Sequence, residues 1–161
     1  MAAIYEMFYQ SEELDKIEFG KYLNKLVGDL VISFQSDNKS IKFNIDADKI
    51  FVNLDTAIPL GLLINEMVTN AMKHGGDEEG KVVIHINMRT LKDNLLEITV
   101  GDKGVNRIDN LLSQKGESLG VLLINSLVDQ IDGEIVQLED CVGTVFNLIF
   151  LNKLGNQLYT S

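Results

Sequence analysis

Apolar side chains recur at Phe19, Tyr22, Leu23, Leu26, Val27, Leu30, Val31 and Phe34. That i, i+3, i+4 rhythm belongs to a helix lying on a core, and it predicts a helix over 17–34. The stretches "IKFNI" (41–45) and "KIFVNL" (49–54) read as strands around a polar turn. A second helix is expected from Asp55 and Thr56, which offer a cap, with Pro59 in its first turn. It runs to about His74 and stops at Gly75-Gly76. "KVVIHINMRT" (81–90) and "NLLEITV" (94–100) are strands joined by the polar turn "LKDN". Residues 101–120 have no clear period and four glycines, which predicts a long loop. "SLGVLLINSLVDQID" (118–132) is a third core helix, stopped by Gly133. "EIVQLE" and "GTVFNLIFL" (143–151) close the chain as strands. Adjacent strand pairs favour an α+β fold: a two-layer α/β sandwich with one mixed, mostly antiparallel sheet and helices on one face.

The helix over "LGLLINEMVTNAMKHGG" (60–76) departs from a plain amphipathic pattern. Asn is a poor helix former, yet Asn65 and Asn70 both stand in it. At roughly 100° per residue, Glu66, Asn70 and Lys73 fall in a narrow arc, with His74 beside it. Ala57, Ile64, Val68 and Ala71 take the opposite face. Most such stripes are solvated surface, and that reading stands open. However, Leu62 and Leu63 wall the start of this stripe. In an apolar wall, an Asn carbonyl oxygen is a hard Mg²⁺ ligand, a Lys is a phosphate partner and a Glu can orient or deprotonate.

Composition narrows the field. The chain has 161 residues, 45% of them hydrophobic and 24% charged, which suits one soluble domain. No apolar run approaches the ~20 residues of a membrane span, and the N-terminus lacks the flank and apolar stretch of a secretory signal. A single cysteine, Cys141, rules out an internal disulfide and fits a reducing compartment. A net charge of -10 argues against a duplex-DNA or anionic-membrane binder. It leaves room for a small phosphorylated ligand in a local basic pocket.

Two further constellations carry chemistry. In "VGDKG" (100–104), Asp102 follows a strand and Gly104 removes a side chain where a flat group can approach; taken alone, the stretch reads first as a plain turn, since Asp and Gly are turn residues. In "GESLG" (116–120) a glycine-bearing loop opens a helix, which either binds phosphate through free N–H groups or is an ordinary cap. "GT" at 143–144 means nothing alone.

Taken together and in this order, these features resemble the ATP-binding domain of sensor histidine kinases, whose fold is called Bergerat. The nearest likeness is to the second histidine kinase subfamily. Asn65, Glu66, Asn70, Ala71, Lys73 and His74 match its helix box; Asp102 with Gly104, Ser118 to Gly120, and Gly143-Thr144 match its short motifs. The resemblance implies ATP and Mg²⁺ as cofactors. Asn70 would ligate the metal, Glu66 would position water or polarise the site, and Lys73 and His74 would face the phosphates. Asp102 would accept the adenine amino hydrogen bond with support from Thr144, and Gly104 would give the base room. Leu119 and Gly120 would offer backbone N–H groups to the phosphates. The family's second glycine, two residues after Gly104, is replaced here by Asn106, which tolerates positive φ better than most residues.

The resemblance implies a catalytic domain over 17–152 and a tail at 153–161. Residues 1–16 would end the segment that follows a phosphoacceptor hairpin. The expected partners are that hairpin and a response regulator, in the cytoplasm, with no nucleic acid and no membrane contact. The sequence holds two histidines, His74 and His85, and neither reads as lying in a helical hairpin, so the chain is expected not to phosphorylate itself. Two rival readings are a degenerate nucleotide-binding regulatory module and an anti-sigma-type serine kinase of the same fold.

Overall fold

The computed structural model describes residues 16–35, 39–74, 79–102, 119–138 and 143–153, without the side chain of His74. In chain order the elements are β1 (Ile17–Glu18), α1 (Phe19–Phe34), β2 (Ser40–Ala47), β3 (Phe51–Val52) and α2 (Leu54–His74). Then come β4 (Lys81–Thr90), a 3-10 turn (Lys92–Asn94), β5 (Leu95–Asp102), α3 (Leu119–Gln130), β6 (Glu134–Gln137) and β7 (Val145–Leu151). The main sheet has the order β2-β4-β5-β7-β6. β2 and β4 run parallel, and the other three pairings are antiparallel. This is the mixed, mostly antiparallel sheet that the patterning implies.

Alternation along the strands explains the two layers. Val82, Ile84, Ile86 and Met88 of β4 point to one face, as do Leu96, Ile98 and Val100 of β5 and Phe146, Leu148 and Phe150 of β7. The three helices bring Leu23, Val27, Ile64, Val68, Ile124 and Leu127 onto that face to form one core. Burying side chains of this size stabilises by about 1.5–3 kcal/mol each before the entropy cost of ordering them. Ala57, Ile64 and Val68 are buried as expected, while Ala71 is only partly covered.

Four expectations need correction. The segment 49–54 does not join the main sheet: only Phe51 and Val52 are extended, and they pair antiparallel with Ile17 and Glu18 in a separate two-stranded ribbon. Accordingly α1 starts at Phe19 rather than at 17. An apolar run cannot reveal which distant strand it pairs with, so periodicity alone misplaces it. The cap of α2 is Asn53, whose Oδ1 accepts from the Thr56 N–H at 2.9 Å, rather than Asp55 or Thr56. Pro59 therefore falls in the second turn of α2, where its missing N–H leaves the Asp55 carbonyl without a helical partner. The expected polar turn before β5 is present as a 3-10 turn, with Asp93 and Asn94 both at φ 60.

Candidate functional site

Three segments meet at one end of the sheet. β5 ends at Asp102, opposite Ile84 near the start of β4. β7 begins beside it, with Gly101 opposite Val145, and the Asp102 N–H donates to the Thr144 carbonyl at 3.1 Å. α2 ends at the same side. Lys39, just before β2, donates to the carbonyls of Met72 and Lys73, while β2 lies parallel to β4 with Ser40 opposite Lys81. α3 leads into β6 at the far end, where Glu134 pairs with Ile149. Its 12 residues reach about 18 Å back toward the Asp102 end.

Asp102 is 3% exposed, the only buried charged side chain among the described residues. It sits directly on Gly143, whose φ is +81. A Cβ there would stand 2.3 Å from the Asp102 main-chain oxygen and 2.7 Å from its Oδ1. Left-handed backbone and lack of space both demand glycine at this position. "GT" thus acquires a physical reason: the glycine lets β7 enter against Asp102, and the threonine carbonyl holds its main chain.

The polar stripe of α2 divides by depth. Asn65, Glu66 and Asn70 are half-buried, and Lys73 is exposed. Leu63 is buried and Leu62 half-buried, so the apolar wall before the stripe is real. The backbone of His74 closes the helix. At the start of α3, Leu119 is exposed and Gly120 half-buried. The structure thus joins Asp102, Gly143 and Thr144 directly and places the end of α2 at the same end of the sheet. Gly104, Asn106 and Ser118 lie outside the described residues, as does Cys141. Sequence reasoning missed Lys39. Its acceptors are backbone carbonyls 33 and 34 residues away, which leave no trace in side-chain patterning.

Among the described residues no three His, Cys, Asp or Glu side chains gather to hold a metal. The buried carboxylate suits a ligand amino group.

A family model described as "Histidine kinase-like ATPase domain" matches residues 29–148, and one described as "Histidine kinase" matches residues 1–34. Blue-light-activated histidine kinase 2 of Erythrobacter litoralis is 26% identical over 132 residues. That alignment covers 82% of this chain and 38% of the relative, so the chain spans well under half the length of that protein. Among solved structures, the Erythrobacter litoralis EL346 blue-light activated histidine kinase superposes with a TM-score of 0.79 at 25% identity, covering 94% of this chain and 51% of that one. The catalytic domain of histidine kinase ThkA superposes at 0.62 with 18% identity, covering 87% of this chain and 96% of that one, a likeness of fold. Among the described residues no helix is long and apolar enough to cross a membrane.

Proposed function

The chain belongs to the family of histidine kinase-like ATPase domains, and from that membership we propose that it binds Mg²⁺-ATP and offers the γ-phosphate to a histidine on a helical hairpin. ATP binding and phosphotransfer are the family's role. The observation that carries the reading for this chain is the buried Asp102 carboxylate, seated on Gly143 at an end of the sheet where α2 also ends. A carboxylate oxygen accepts hydrogen bonds at more than one lone pair, and an adenine amino group is a donor it can accept from.

Each side chain then has a task. Asp102 accepts from the base, with the Thr144 segment holding its backbone and Gly104 leaving room for the ring. Asn70 supplies the amide oxygen for Mg²⁺, which neutralises phosphate charge when bound. Glu66 orients the attacking group or polarises the site. Lys73 and His74 face the phosphates, and the N–H groups of Leu119 and Gly120 add backbone donors at a helix N-terminus. Positioning and charge neutralisation are most of what phosphoryl transfer asks of a protein. A response regulator would receive the phosphoryl group afterwards, in the cytoplasm where ATP is available.

His85 lies within β4 and His74 ends α2, so neither stands in a helical hairpin. Incubated alone with γ-labelled ATP, the chain should stay unlabelled. A histidine-bearing hairpin from a related kinase, added in trans, should become labelled. Acid-labile, base-stable label on His74 or His85 would contradict the acceptor assignment. Labelled serine on an added partner would favour the anti-sigma type of kinase.

A further inference from the structure

Lys39 precedes β2, and its Nζ donates to the main-chain oxygen of Met72 and, at 3.4 Å, to that of Lys73. The last carbonyls of a helix have no partner within it. The next residue, Ser40, donates its N–H to the Gly80 oxygen at 3.1 Å, just ahead of β4. Two consecutive residues thus hold the end of α2 and the entry to β4. Met72 is fully buried, so the turn is fixed to the core on one side and to Lys39 on the other.

Charge makes this contact matter. The C-terminus of a helix carries roughly half a negative charge. The nucleotide reading above, on which this inference rests, brings a polyphosphate beside that end through Asn70 and Lys73. The bare helix end would repel it. We propose that Lys39 is a positioning residue for the phosphate end of the nucleotide. It fixes the turn that carries Asn70 and Lys73, and it cancels the negative end of the α2 dipole without touching the ligand. Because Asp102 stands on β5, Lys39 should govern the phosphates and leave the base alone.

The test compares Mg²⁺-ATP with adenosine on the parent chain, Lys39→Met and Lys39→Arg, by calorimetry. Lys39→Met should weaken Mg²⁺-ATP binding about 3- to 10-fold, the size of a helix-end charge effect, and leave adenosine binding unchanged. Lys39→Arg keeps charge and donors and should restore affinity to within about 2-fold of the parent. Without nucleotide, amide exchange at residues 71–74 should quicken in Lys39→Met alone. Mg²⁺-ATP bound by Lys39→Met as tightly as by the parent would overturn the proposal. So would an equal loss for adenosine, which marks general loosening, or unchanged exchange at residues 71–74. A parent chain that binds neither ligand would instead overturn the nucleotide reading, and the exchange result still judges the contact separately.

Discussion

Tyr22 and Asp102 are both buried polar side chains, 1% and 3% exposed, and each rests on a glycine with no room for a side chain. A Cβ on Gly61 would lie 2.5 Å from the Tyr22 hydroxyl, much as one on Gly143 would lie 2.7 Å from Asp102 Oδ1. The surroundings differ. Tyr22 sits between α1 and α2, inside the core, and its hydroxyl has no hydrogen-bond partner among the described residues. Its glycine lies within α2, where backbone geometry is ordinary. Asp102 sits where a strand ends, beside a glycine at φ +81 and near the close of α2. Burial on a glycine is therefore no mark of a site by itself. The position at the end of a strand separates Asp102, the proposed base acceptor, from Tyr22, a packing group.

The sharpest way to break this contrast is to alter both residues and read ligand binding. Asp102→Ala should weaken ATP binding by at least about 10-fold, because it removes the acceptor for the base. Tyr22→Phe should leave ATP binding unchanged. Equal losses in calorimetry would put the two groups in one class.

A second test reads packing. Gly61→Ala should cost about 1–3 kcal/mol, since the new methyl meets the Tyr22 ring as well as its hydroxyl. Adding Tyr22→Phe should recover part of that loss in denaturant melts, because the two sites share one contact. Full additivity would mean that the hydroxyl is not what crowds a side chain at 61.

Tyr22→Phe alone should stabilise the fold by up to about 1 kcal/mol by removing a buried hydroxyl that lacks a partner. Burial also raises the Tyr22 pKa above the ordinary tyrosine value. The unfolded chain then loses this proton first, near pH 10, while the folded chain keeps it. The stability this group contributes is present below pH ~10 and is lost as pH rises above it. Melts between pH 9 and 11, roughly the window around the free tyrosine value, should fall less steeply for Tyr22→Phe than for the parent. Parallel slopes would show that the hydroxyl ionises as readily in the fold as outside it.

Much of this was legible in the sequence. The 3.6-residue period fixed α1, α2 and α3, and alternation fixed β4, β5 and β7, because these elements face a single core. The stripe of Glu66, Asn70 and Lys73 stood out because polar groups on a walled helix face break that period. Non-local pairing was not legible. Nothing in "KIFVNL" announces Ile17 and Glu18 as its partners, and nothing in "QSDNKS" announces helix carbonyls as acceptors for Lys39. The fit between Gly143 and Asp102 was likewise hidden, since it depends on the pairing of β5 with β7. Sequence patterning reports which face of an element is apolar, whereas a site is assembled from element ends.

The central claim is that Asp102 reads adenine. It is tested most directly by titrating Mg²⁺-ATP and Mg²⁺-GTP into the parent chain and into Asp102→Asn, which keeps the shape but adds a donor. Guanine presents a carbonyl where adenine presents an amino group, so the parent should prefer ATP by about 10-fold or more, since two acceptors facing each other lose the hydrogen bond. Asp102→Asn should shrink that preference to within a few-fold. GTP bound by the parent within about twofold of ATP, or an undiminished preference in Asp102→Asn, would contradict the account, because an acceptor worth 1–3 kcal/mol, roughly, cannot be silent.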